Sequence, residues 1–247
     1  IYRNIMRKKI LKYSTKLFGC SQEACKNLYG DKCFDDKRVK VINNGIELKR
    51  FEDKDLGKSS KLIKVELGLP LDSIIIGHVG RFHSQKNHVL LVDIFSELIK
   101  KEPKARLILV GDGPLKEYIK EKVKGKRLEK YIYFLGIRED IPKIMASLDV
   151  FIFPSKYEGL GIVLIEAQAA GIPCVVSNKI PNEADLGLGL IRKVDLNDDL
   201  SVWVNNIIES LELTIPDWEE RKRIITSKKY SITSVAKILY DIYHNRS

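Results

Sequence analysis

No run of this chain comes near the roughly 20 consecutive apolar residues that a membrane-spanning helix needs, and Ile1 to Phe18 carries too many charges for a secretory signal peptide. The chain is therefore expected to be soluble. Cysteine is scarce: Cys20, Cys25, Cys33 and Cys174 form no C-x-x-C pair, and no histidine pair lies at metal-ligand spacing from them. A zinc ribbon or finger is excluded, and reduced structural thiols in a cytosolic protein are expected. Histidine is sparse too. His78 sits in an apolar run and reads as a core residue, His83 falls in a loop, and His88 and His244 are isolated. No G-x-G-x-x-G opens a helix with an acid about 20 residues on, which counts against a dinucleotide-dependent oxidoreductase. Basic residues are not interleaved with aromatics and no recognition helix is evident, so no nucleic-acid partner is expected.

Positive charge is abundant. The net charge of +10 suits a phosphate-bearing ligand or an anionic membrane surface. Dense groups at Arg7-Lys8-Lys9, Lys120 to Arg127 and Arg221 to Lys229 read for the most part as solvated helix faces.

Apolar, β-branched runs alternate with helical patterns. Thr15 to Cys20 and Lys40 to Ile42 flank a helical Gln22 to Tyr29, and Asn43-Asn44-Gly45 is a turn. Strands are predicted at Ser73 to Val79, Ala105 to Val110, Tyr131 to Leu135, Val150 to Phe153 and Cys174 to Ser177. Helices are predicted between them at His88 to Lys101, Pro114 to Lys124, Ile141 to Leu148 and Gly161 to Ala170. This alternation predicts an α/β, Rossmann-like, doubly wound parallel sheet. Trp203, Ile207, Leu211, Trp218, Val235, Ile238, Leu239 and Ile242 mark two or three further helices.

The densest chemistry lies between Phe153 and Gly171. Pro154-Ser155 ends a buried strand, because proline cannot extend a ladder. A Gly-bracketed turn carrying Glu158 follows, and a helix from Gly161 stops at Gly171 and Pro173. Such a strand, turn and helix N-terminus bind phosphate or sugar hydroxyls well. Glu166, in the second helical turn, is a carboxylate on a largely apolar helix and needs partners. These are either one of the many lysines and arginines or the vicinal hydroxyls of a ribose, with Glu158 reaching a second sugar.

Three other strand ends carry candidates. Gly80-Arg81 and Lys86 place a glycine and two cations after the first strand of the sheet, suited to a diphosphate. Gly111-Asp112-Gly113-Pro114 reads as structural, with Pro114 at a helix N1 position. Leu135-Gly136-Ile137-Arg138 offers a flat backbone edge for a base.

The ordered set Asn44-Gly45, Gly80-Arg81, Lys86-Asn87, Gly111-Asp112-Gly113-Pro114, Phe134-Leu135-Gly136, Pro154-Ser155, Glu158 and Glu166 resembles the C-terminal, donor-binding half of a GT-B glycosyltransferase. It is most similar to the retaining family 4 of bacterial polysaccharide and lipid-linked sugar synthesis. The resemblance covers about residues 40 to 180. It implies that Glu166 holds the ribose and Glu158 the donor sugar, while Arg81 and Lys86 clamp the diphosphate beside Gly80. Backbone at Gly159, Leu160, Gly161, Ile162 and Val163 would meet sugar and phosphates, and Gly136 and Ile137 the base.

The implied donor is a nucleoside-diphosphate sugar, UDP or GDP, with no other cofactor. No D-x-D stands at a strand end, so no metal is expected. The implied acceptor is a saccharide or lipid-linked saccharide, and the implied place is the cytoplasm, at or near the inner face of the cell membrane through the basic faces. The family's Pro-Asn-Gly-x-Asp reads Asn43-Asn44-Gly45-Ile46-Glu47 here, which leaves the turn intact.

Residues 1–39 are expected to be the remnant of an N-terminal acceptor domain, 40–215 the nucleotide-sugar domain, and 216–247 helices bracing the two. The chain begins with isoleucine and looks like a fragment. The resemblance places a Gly-rich loop and a catalytic histidine in the missing half, so the fragment is expected to bind donor without turnover. A non-catalytic nucleotide-sugar-binding module and a sugar-nucleotide epimerase of GT-B layout are the alternatives.

Overall fold

Every strand predicted from the apolar runs forms, within a residue or two at the N-terminal pair and at two strands of the large sheet, Ser73 to Val79 and Tyr131 to Leu135, and all pairing is parallel. The computed structural model describes residues 2–52 and 56–244.

The chain opens with α1 (Tyr2–Tyr13), β1 (Leu17–Gly19), α2 (Gln22–Tyr29) and β2 (Val39–Val41). β1 and β2 form a small two-stranded sheet, with Leu17 opposite Val39, over a core that buries Cys25 and Cys33. Arg38 ties this unit together by donating to the carbonyls of Ser14 and Leu11, at 2.7 and 2.8 Å. The expected boundary at 39/40 thus falls inside β2.

After α3 (Leu56–Glu66), the chain alternates through β3 (Ile74–Val79), α4 (His88–Lys101), β4 (Ala105–Val110), α5 (Lys116–Gly125), β5 (Ile132–Gly136), α6 (Ile141–Met145), β6 (Val150–Phe153), α7 (Ile162–Ala169), β7 (Cys174–Ser177) and β8 (Ile191–Val194). These strands make one sheet in the order β5-β4-β3-β6-β7-β8. The chain winds outward from β3 through β4 and β5, then returns to the other side of β3 with β6. The order reverses between β3 and β6, and there the loops after the two strands diverge and open a crevice at the carboxyl edge.

The sheet is covered on both faces, which is why its strands read as unbroken apolar runs. Ile75, Phe151, Phe153 and Val176 face one core with α7, while Ile76, Leu107, Ile152 and Val175 face the other with α4 and Trp203. β8, one of the two edge strands, escaped prediction because Ile191-Arg192-Lys193-Val194 is half charged, as an edge tolerates. α3 was missed because its sequence carries Gly57, Ser59 and Ser60, poor helix formers, and little apolar periodicity.

The chain ends in α8 (Leu200–Ser210), α9 (Trp218–Ser227) and α10 (Ile232–His244). α10 comes back to the segment that follows β2: the Ile46 amide donates to the Tyr230 carbonyl and the Ile232 amide to the Ile46 carbonyl, at 2.7 and 2.9 Å. Gly45 is needed there, since a Cβ would lie 2.7 Å from the Ile232 Cα. Among the described residues no helix is long and apolar enough to cross a membrane.

Candidate functional site

The loop after β3 is shaped by the loop after β4. The Gly80 amide donates to the Val110 carbonyl, Phe82 to Asp112 and Leu115 to Phe82, at 2.9 to 3.0 Å. The turn can nest this closely because Gly113 has φ of 154° and no Cβ, which would sit 2.7 Å from the Phe82 oxygen. Gly111-Asp112-Gly113-Pro114 is thus the support of the Gly80-Arg81 loop, in keeping with its structural reading. Arg81 is exposed, and no hydrogen bond or ion pair holds its guanidinium among the described residues. Lys86 ends a short turn, Ser84–Lys86, and Asn87 in the left-handed region (φ 55°) redirects the chain into α4.

The loop after β6 meets this one across the crevice. Lys156 donates its amide to the Gln85 carbonyl at 2.8 Å, and the Gln85 side chain donates to the Tyr157 carbonyl at 2.9 Å. The Lys86 ammonium lies 2.6 Å from the Glu158 carboxylate and 4.6 Å from the centre of the Phe153 ring. Its stem runs over Gly80, where a Cβ would approach Cδ and Cε to 3.4 Å. Sequence reasoning placed Lys86 beside Arg81; the structure joins it to Glu158 instead.

From Tyr157 to Gly161 no backbone N–H finds an acceptor among the described residues. Gly161, at φ 83°, turns the chain into α7, whose first amides are also uncapped by any side chain. A row of free donors and a helix N-terminus therefore surround Glu158, an arrangement that attracts anionic oxygens. Leu160 is buried and Gly159 exposed.

Glu166 is half-buried on α7. Among the described residues its carboxylate accepts no hydrogen bond and joins no ion pair, so the alternative of a salt bridge is not realised. Burial raises its pKa above 4.5, opposed only by the nearby charge of Arg50. Arg50, which sequence reasoning missed, donates to the Glu139 carbonyl at 2.8 Å and so links Glu166 to the loop after β5. Its only sequence signal is position, five residues after Gly45.

That third loop is fixed by the Arg138 fork, which binds Asp140 at 2.8 Å and Glu66 at 2.6 Å. Gly136 (φ 67°) accepts from the Gly111 amide at 2.7 Å, and Ile137 projects with 79 % of its surface exposed. The flat edge is present, with an apolar side chain at its tip.

Behind Lys86 lies a buried ring cluster. His78 Nδ1 donates to the Ile152 carbonyl at 2.9 Å while Nε2 has no partner, and both nitrogens of His88 are unpaired. The two imidazoles meet edge to face at 4.6 Å, and His88 stacks on Phe82 at 4.2 Å. His78 is a core residue as expected, but only half satisfied. Burial and the charge of Lys86 hold His88 down to about 4. His83 is exposed at the crevice and accepts from the Gln85 amide at 3.4 Å.

A cleft of about 690 Å³ opens beside Glu158, between α2 and the loop after β6, lined among others by Gln85, Lys156, Tyr157 and Lys179. Among the described residues no group of three or more His, Cys, Asp or Glu side chains is placed to hold a metal ion.

Residues 59–186 match the family of glycosyl transferases group 1. EpsF of Bacillus subtilis (strain 168) is 35 % identical over 240 residues, 97 % of this chain and 62 % of the relative. The UDP-Gal:alpha-D-GlcNAc-diphosphoundecaprenol alpha-1,3-galactosyltransferase of Escherichia coli is 31 % identical over 235 residues, 90 % of this chain and 57 % of the relative. The chain thus spans about three fifths of the length of these relatives. Among solved structures, Anabaena HepE in complex with UDP superposes with a TM-score of 0.77 at 21 % identity, covering 98 % of this chain and 66 % of HepE. The lipopolysaccharide glycosyltransferase WaaG gives 0.75 at 17 %, covering 93 % and 63 %. The order of strands, the loops at the switch point and the match over residues 59–186 agree: this chain belongs to the glycosyl transferases group 1 family.

Proposed function

We propose that this chain binds a nucleoside-diphosphate sugar in the crevice between the loops after β3, β5 and β6, as the donor half of a retaining glycosyltransferase of polysaccharide or lipid-linked saccharide synthesis. The observation that carries the reading is the convergence, at one sheet edge, of the Lys86–Glu158 pair, the free amides from Tyr157 to Gly161 and the unpartnered carboxylate of Glu166.

Each feature suits one part of such a donor. Glu166, desolvated and lacking a donor of its own, accepts from the two ribose hydroxyls. The exposed edge at Gly136 and Ile137 receives the base. The diphosphate lies against Arg81, Lys86 and the start of α7, drawing Lys86 away from Glu158. Glu158 is then free to accept from hydroxyls of the sugar. As the bond from the anomeric carbon to the diphosphate oxygen breaks, the growing negative charge on that oxygen meets preorganised positive groups. The acceptor oxygen bonds the same face of the anomeric carbon, and its proton passes to an oxygen of the leaving diphosphate.

UDP is the favoured nucleotide, supported by HepE, whose solved complexes contain UDP and UDP-glucose, and by the Escherichia coli relative, named for UDP-Gal. The same relative's name supports a lipid-linked saccharide acceptor. In this reading the donor domain begins after β2 and runs to 215, the segment through β2 belongs with the acceptor side, and 216–247 brace the two. The chain alone binds donor without transferring it.

The test is a thermal-shift panel of UDP, GDP, ADP and their sugar conjugates, because a ligand specific to the folded state raises its melting temperature. A shift with UDP and UDP-sugars is expected. No shift with any nucleoside diphosphate overturns the reading.

A further inference from the structure

Ser21 begins α2, in the N-terminal unit, yet it holds the loop that carries Glu158. The residue is extended (φ −156°) and buried. Its hydroxyl accepts from the Ala24 amide at 2.9 Å, capping α2. The same hydroxyl donates to the carbonyl oxygen of Gly159, 138 residues away. Gly159 rests on this corner: a Cβ there would meet Cys20 Sγ and Ala24 Cβ, each at 3.9 Å. A second tie runs parallel, the Gln22 amide donating to Glu183 Oε1 at 3.3 Å, while the Tyr230 hydroxyl donates to the Glu183 carbonyl at 2.9 Å.

A peptide unit is planar, and in the trans form its carbonyl and N–H point in opposite directions. No peptide bond among the described residues is cis. Anchoring the Gly159 oxygen on Ser21 therefore turns the Leu160 N–H away from α2. That N–H has no acceptor among the described residues. One hydroxyl thus caps a helix of the small N-terminal unit and sets the direction of a free donor next to Glu158.

We propose that Ser21 is a positioning residue for the donor sugar: by fixing the Gly159–Leu160 peptide plane it presets the amide beside Glu158 and couples the N-terminal unit to the sugar end of the site. The coupling to sugar rests on the donor-binding reading above; the anchoring itself does not.

The experiment compares this chain with Ser21→Ala, Ser21→Gly and Ser21→Thr. Glycine serves nearly as well as serine at a helix N-cap, so Ser21→Gly removes the anchor with little loss of the cap, and threonine retains both roles. Hydrogen exchange of the hydrogen-bonded amides that bracket the loop, Lys156 (to the Gln85 carbonyl) and Leu164 (to the Gly161 carbonyl), is followed without ligand. Affinities for UDP, UDP-glucose, UDP-galactose and UDP-N-acetylglucosamine are then measured by calorimetry.

The expected result is faster exchange in the alanine and glycine variants. Their UDP affinity should be unchanged, the binding of the preferred UDP-sugar weakened about three- to tenfold, the worth of one oriented hydrogen bond, and Ser21→Thr should behave as wild type. Wild-type exchange in Ser21→Gly overturns the anchor. Faster exchange with an undiminished preference for UDP-sugar over UDP overturns the coupling to sugar. If the wild-type chain binds no UDP, the donor-binding reading fails and the coupling with it, and the exchange rates still decide the anchor.

Discussion

The ammonium of Lys86 and the carboxylate of Glu158 lie 2.6 Å apart across the crevice, 17 % and 8 % exposed, joining the loop after β3 to the loop after β6. Neither group is well solvated, so removing one strands the other. Lys86→Ala should destabilise the chain by roughly 2–3 kcal/mol in urea unfolding, below the 3–5 kcal/mol typical of fully buried pairs because Lys86 keeps some contact with water. The double variant Lys86→Ala with Glu158→Ala should recover part of that loss. Strictly additive effects would mean that the two residues are not coupled in solution.

Glu166 carries a different trade. Burial raises its pKa, so between pH 4.5 and its folded value the folded chain binds more protons than the unfolded one. Above that window the ionised carboxylate opposes folding. Glu166→Gln should therefore raise the melting temperature at pH 7 and weaken UDP binding at least about tenfold, since a charged acceptor of ribose hydroxyls is lost. A variant that gains stability and keeps full UDP affinity would separate Glu166 from the ribose.

How legible all this was in the sequence depended on how local each feature is. β4, β6 and β7 were readable to the residue because both their faces are buried and nearly every position is apolar. Glu158, Arg81 and Lys86 could be named because each sits in a loop after a strand whose end is marked by glycine or proline, and Glu166 because it is a carboxylate on an otherwise apolar helix. What could not be read is pairing across the crevice. That Lys86 meets Glu158, that Arg50 approaches Glu166 and that Ser21 reaches Gly159 follow from the β3–β6 reversal and the packing of α2. β8 was lost because half of its residues are charged, which its place at one edge of the sheet permits.

The loop bearing Arg81 and Lys86 depends on a glycine in a neighbouring turn. Gly111 has φ of 132°, and a Cβ there would overlap the carbonyl oxygen of Gly80, a backbone atom that cannot swing aside. Gly111→Ala should cost about 2 kcal/mol or more in stability and should weaken UDP binding although no side chain of the site is changed. Gly125→Ala is the control: it lies in α5 with open space around it, and alanine there should leave both quantities unharmed or improve stability slightly. Equal effects at the two positions would remove the supporting role of the Gly111 turn.

The ring cluster behind Lys86 works against the fold in acid. His88 is held at about 4 against 6.5 in an open chain, and burial lowers His78 as well. Between those two values the unfolded chain carries a proton on residue 88 that the folded chain does not, so stability is full above about pH 6.5 and falls as the pH drops towards 4, where the loss levels off. For His88 the whole effect is about 3 kcal/mol. Glu166 and Asp149, raised by burial, act with the opposite sign as the pH falls, so the total slope alone is ambiguous. The difference between wild type and His88→Phe isolates the imidazole, since phenylalanine can still stack on Phe82 and has no proton to gain. Urea unfolding from pH 7.5 to 4.5 should show the variant losing less stability than wild type over that range. Parallel curves for the two proteins would show that His88 does not stay neutral in the folded chain.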